Sequence, residues 1–138
     1  MPDDDAFDPR TWSSDIPYLP IWLDPSGEMF VVVDREDYAW AIQWTWRIKF
    51  DKHGRKVYAY HANGYYENGY RAFTRSIYQH KEICRRAKGS PPTSKHKIGD
   101  HENGVSQDCR RDNLRWATPS MNRQNIDGSY ARQRRLAL

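Results

Sequence analysis

Hydrophobic and polar positions change their period several times along this chain, and each change marks an element. Ile21-Trp22-Leu23, the turn residues Pro25-Ser26-Gly27 and the run Met29-Phe30-Val31-Val32-Val33 predict a β-hairpin, since apolar and β-branched runs on either side of a turn favour extended backbone. Asp34 fits a helix N-cap, with Glu36 and Asp37 in the first turn and Tyr38, Ala39, Ala41 and Ile42 behind them, so a short helix is predicted to end near Gln43. Trp44, Trp46, Ile48 and Phe50 then alternate with Thr45, Arg47 and Lys49, the period-two pattern of a strand with one buried face. His53-Gly54 supplies a turn, Val57 to Ala62 returns as the partner strand, and Asn68-Gly69 marks another tight turn. Residues 18–73 are therefore expected to be an antiparallel β-rich subdomain with one short helix.

Residues 74–96 read as a helix and a linker. From Phe73 to about Arg86, Ile77, Tyr78, Lys81 and Ile83 fall at spacings of a helix with one apolar stripe and a basic remainder, and Gly89-Ser90-Pro91-Pro92-Thr93-Ser94 ends it in a loop that is the expected internal boundary. Lys97-Ile98-Gly99-Asp100-His101 then reads as a strand, residues 102–111 as a polar loop, and Asn113-Leu114-Arg115-Trp116-Ala117-Thr118 as a second strand. Thr118 caps and Pro119 opens a final helix through about Asn125, because threonine accepts from free amides and proline suits the first helical position. Nothing repeats at a fixed period, and the fold class expected is α+β.

Composition narrows this picture. At 138 residues the chain has the length of one ordinary domain, and 14% aromatic residues argue for an ordered core despite a mean hydropathy of −1.02. The Trp and Tyr residues of the sheet are expected to pack in the core or on sheet faces rather than to stack on bases. No stretch approaches the roughly 18 apolar residues of a membrane span, and no basic-then-apolar leader opens the chain, so a cytoplasmic protein with no membrane partner is expected. Cys84 and Cys109 form no Cys-x-x-Cys pair and are expected to be reduced and structural rather than zinc ligands. Charge is unevenly divided: residues 1–70 carry 7 Lys/Arg against 12 Asp/Glu, net −5, and residues 71–138 carry 15 against 6, net +9. The basic half suits a polyanionic partner. Residues 1–17, with five aspartates, are expected to be a disordered acidic arm, and residues 128–138, with Arg132, Arg134 and Arg135, a basic tail.

Residues 97–127 carry the chemistry. Asp100-His101-x-Asn103-Gly104, Asn113-Leu114-Arg115-Trp116-Ala117-Thr118, and Asn122 with Asn125 resemble the motif of phage-type and homing HNH endonucleases, with Asn113 lying 12 and Asn122 lying 21 residues after His101. The resemblance implies a ββα-metal unit made of a hairpin and a helix, and an enzyme that hydrolyses DNA phosphodiester bonds by nicking or double-strand cleavage. It assigns His101 as general base, Asn113 as acceptor for the other ring nitrogen, and Asp100 and Asn122 as holders of one divalent metal. A carboxylate and an amide oxygen are hard donors that suit Mg²⁺ or Mn²⁺. Arg110, Arg111, Arg115, Arg123 and Asn125 are the expected DNA contacts, extended by the arginines of the tail, and a homodimer or a phage packaging partner is compatible with the resemblance.

Two details follow. Neighbours on a strand face opposite sides, so bringing Asp100 and His101 together demands that the strand end or bulge there, as Asn103-Gly104 suggests. The family often opens the preceding helix with His-Arg, where Thr74-Arg75 is expected here. His53, His61, His80 and His96 lack partners at metal-ligand spacing and are expected to be structural. A DNA-binding module without catalysis and a ribonuclease on the same scaffold are the competing functions.

Overall fold

The computed structural model describes residues 12–52, 54, 56–67 and 70–123 together with Pro9, with the backbone alone at 63–67 and 70–74. The turns expected at His53-Gly54 and Asn68-Gly69, most of the acidic arm, Asn125 and the basic tail lie wholly or partly outside these residues.

The described residues form an α+β fold of three small antiparallel sheets and few helices. β1 (Tyr18–Trp22) pairs with β2 (Phe30–Asp34), and α1 (Arg35–Ala41) follows without a break. β3 (Arg47–Phe50), β4 (Val57–Glu67) and β5 (Tyr70–Tyr78) make the second sheet, in that spatial order. α2 (Gln79–Lys88) leads to the third sheet, β6 (Ile98–His101) with β7 (Leu114–Ala117), and residues 119–123 are helical. No described helix is long and apolar enough to cross a membrane.

The expected hairpin, α1, β6 and β7 stand close to their sequence positions. The segment from Phe73 does not. It remains strand through Tyr78, because it pairs with β4 in register from Tyr60↔Tyr78 outward, and aromatic and β-branched residues such as Phe73, Thr74 and Ile77 suit a pleated surface. α2 opens only at Gln79 and closes at Gly89, whose φ of 76° reverses the chain while its N–H bonds to the Arg85 carbonyl at 2.8 Å. Asp34 precedes α1 in extended conformation, yet its side chain makes no cap bond and instead accepts the Arg111 N–H at 2.8 Å.

One core joins both sides of the Gly89 to Ser94 loop. Ile21, Val31, Val33, Trp46 and Ala59 pack with Ile83, Cys109, Leu114 and Trp116. The loop after β6 is stitched to β2 as well: the Val32 N–H donates to the Gln107 carbonyl at 2.7 Å and the Cys109 N–H to the Val32 carbonyl at 2.8 Å. The end of the acidic arm is packed rather than loose. Trp12 and Ile16 lie against Tyr18, Phe30, Val32 and Val105, and Arg35 binds the carbonyls of Ser14 and Ile16.

Candidate functional site

The β6–β7 register sets Asp100 opposite Arg115 and His101 opposite Leu114, a fully buried anchor. β6 stops at His101. Gly104, at φ 76°, returns its N–H to the His101 carbonyl at 2.8 Å, so the backbone bends where the adjacent Asp100 and His101 need it to. Both side chains are buried and both line one cavity of about 280 Å³. Asn122 reaches the same cavity from the final helix, where Thr118 Oγ1 accepts the Met121 N–H at 3.2 Å and the Thr118 carbonyl accepts the Asn122 N–H at 3.0 Å.

Asn113 holds the loop between the two strands. Its Oδ1 accepts the Asn103 N–H at 2.9 Å and its Nδ2 donates to the Asp108 carbonyl at 2.8 Å, both on the connection between β6 and β7. Cys109 also borders the ring, its sulfur 3.8 Å from His101 Nε2 and 3.8 Å from the Ser106 carbonyl. Burial, and then Asp108, push the Cys109 thiol pKa up, so it keeps its proton.

Burial, and secondarily the Lys56 charge, hold the His101 pKa down to about 3. The ring is therefore neutral across the neutral range, the form that takes a proton. His80 stands beside it, ring centroids 5.0 Å apart, and is also held well below its ordinary value by burial, by His101 and by Lys81. Tyr58 lies 5.2 Å from His80 and 6.2 Å from His101, its pKa raised to about 12, mainly by burial.

Three of the arginines expected on DNA, Arg110, Arg111 and Arg115, bind carboxylates within the fold. Arg110 forks onto buried Asp108 at 2.8 and 2.9 Å and lies over the Tyr18 ring, and Arg111 forks onto buried Asp37 at 2.9 and 2.7 Å. Both ion pairs brace the loop internally. Arg115 binds Asp100 Oδ2 at 2.8 Å, Arg123 is exposed, and Asn125 lies outside the described residues. The cavity's cations are Lys49, Lys56 and Lys81, and none of them was singled out for the site by sequence reasoning. With α2 opening at Gln79, His80 and Lys81 fall in its first turn, and Thr74-Arg75 lies on a strand and not at the helix start. The available signal was the basic, aromatic alternation of Arg47, Lys49, Tyr58 and Tyr60, whose period-two spacing puts all four on one sheet face.

Among the described residues no group of three or more His, Cys, Asp or Glu side chains gathers to hold a metal. Asp100 and Asn122 both line the cavity, and a carboxylate and an amide oxygen are hard donors of the kind Mg²⁺ or Mn²⁺ takes. Compared with protein-family models, curated proteins and solved structures, the chain matches none of them.

Proposed function

We propose that this protein is an HNH-type endonuclease that hydrolyses DNA phosphodiester bonds with one bound Mg²⁺ or Mn²⁺. The observation that carries the reading is the convergence of Asp100, His101 and Asn122 on one cavity edged by Lys49, Lys56 and Lys81. Three lysines and a buried neutral imidazole are what an anionic substrate and an attacking water require.

In this reading the lysine ammonium groups draw a backbone phosphate to the cavity. His101 takes a proton from water as its oxygen bonds to phosphorus, and the phosphorus–oxygen ester bond opposite breaks; the departing oxygen takes a proton from solvent, leaving one strand end with the phosphate and the other with a hydroxyl. An imidazole so hard to protonate is a weak base until the phosphate arrives, and the nearby negative charge then favours the imidazolium. Asp100 and Asn122 would hold the metal, which when bound supplies positive charge against the phosphate and the departing oxygen. Asn113 acts at one remove, by fixing the loop that places His101 at the strand end.

Supercoiled plasmid incubated with the protein and Mg²⁺ or Mn²⁺ tests this. Relaxed or linear product that vanishes with EDTA and in His101→Ala is expected. Intact plasmid under all conditions, with binding retained in a gel-shift assay, would leave a DNA-binding module instead. Structured RNA in the same assay separates a ribonuclease.

A further inference from the structure

We infer that the outward face of the β3-β4-β5 sheet binds an unpaired stretch of DNA strand leading into the cavity; this deepens the nuclease reading and rests on it. Strand parity defines the face. Lys49 stands opposite Tyr58, Arg47 opposite Tyr60, and Tyr60 opposite Tyr78, so these five residues point to one side of the sheet. On the other side Val57 and Ala59 are buried in the core. On this side Arg47 and Lys49 are exposed, as are Ala62 and Ser76 further along, and the three tyrosines keep part of their surface in solvent.

The aromatic rings form a connected row that starts at the proposed base. His101 to His80 is 5.0 Å between centroids, His80 to Tyr78 is 5.9 Å, and Tyr78 to Tyr60 is 6.1 Å. The row passes from buried imidazoles to part-exposed phenols, and cations accompany it: Lys49 and Arg47 along β3, and Lys81 with its ammonium 6.0 Å from the Tyr78 ring. Two carboxylates stand near them, Asp100 in the cavity and Asp51, which accepts the Lys56 backbone N–H at 3.2 Å at the hairpin end.

Cations at strand spacing interleaved with aromatic faces suit a single strand, whose bases are free to stack while its phosphates meet the charges. Paired bases in a duplex are stacked on each other and offer the rings nothing. The sheet therefore favours DNA that is locally unpaired, and it delivers the strand's backbone to His101.

Binding without cleavage isolates this claim. Anisotropy of a labelled 15-nucleotide oligothymidylate and of a duplex of the same length is measured with the full chain in EDTA at matched salt. The oligothymidylate is expected to bind more tightly. Tyr60→Ala should weaken it ~5- to 100-fold, given the usual strength of base–aromatic stacking, and Tyr60→Phe should restore it. Lys49→Gln should weaken binding and reduce the slope of log affinity against log salt by about 0.7, one phosphate contact. Equal binding of the two DNAs overturns the inference, as does a Tyr60→Ala affinity within twofold of the parent. If duplex plasmid is cut but no single-strand preference exists, only this inference fails. If the preference exists but nothing is cut, the nuclease reading fails and the binding face stands.

Discussion

Asn113 shows how much a single amide can hold. Its two hydrogen bonds satisfy the Asn103 N–H and the Asp108 carbonyl, and in Asn113→Ala both lose their partner inside the fold. Stranding a buried group costs about 1–3 kcal/mol, and the part-buried Asn103 N–H adds less than the Asp108 carbonyl, so a drop of about 2–4 kcal/mol in unfolding free energy by urea denaturation is expected, with loss of plasmid nicking as the loop loosens. Arg115 makes the opposite case, because its partner Asp100 is the proposed metal ligand. Arg115→Gln leaves a buried carboxylate without its 2.8 Å cation, so the variant should melt lower than the parent in EDTA and regain more on addition of Mn²⁺. A variant whose melting responds to Mn²⁺ no more than the parent's would remove Asp100 from the metal site. His80 supplies a pH dependence. Its folded pKa lies well below 6.5, so as pH falls through 6.5 the unfolded chain takes up a proton that the folded chain refuses. Stability is therefore full above pH 6.5 and declines below it, and His80→Gln should flatten the slope of denaturation midpoint between pH 7 and 5.

At the scale of elements, the contact between α2 and β6 governs the spacing of the two imidazoles. A Cβ on Gly99 would meet the side chains of His80 at Cδ2, 3.0 Å, and Lys81 at Cγ, 3.2 Å, so both would have to give by a few tenths of an ångström. Gly99→Ala is expected to push α2 and β6 apart, costing about 1–3 kcal/mol and lowering nicking more than DNA binding, with a matched melt and plasmid assay as the check. The sequence made β6, β7 and the Thr118 cap legible, because turn and capping residues act locally. It misplaced the start of α2. Phe73, Ile77, Tyr78 and Ile83 satisfy a helical period on paper, while the choice of strand through Tyr78 is made by β4 in a pairing that no local window contains. The same error hid the place of His80 and Lys81 at the cavity, which depends on where the helix begins.

For the whole molecule, charge division along the chain proves to be partly internal. Asp34 and Asp37 from the acidic half bind Arg111 from the basic half, and Arg86 also reaches Asp37 at 3.2 Å. The cations left facing the cavity from the sheet, Lys49 and Lys56, belong to the half whose net charge is negative. Net charge by segment could not reveal this, because partners distant in sequence cancel one another only once the chain is folded. The same cross-connections bear on whether the hairpin and final helix can act alone. Leu114, Trp116 and Cys109 pack against Ile21, Val31, Val33 and Trp46, and the loop that carries Asn113 is bonded to β2 through Val32. A fragment of residues 89–138 would expose that apolar surface and leave the β2-facing amides to water, with too small a core to offset the entropy of ordering. Such a fragment is expected to show a disordered far-ultraviolet circular dichroism spectrum and no metal-dependent nicking. A fragment that folds and cuts would show the opposite: that β1, β2 and α1 cover the site's supporting loop without being needed to form it.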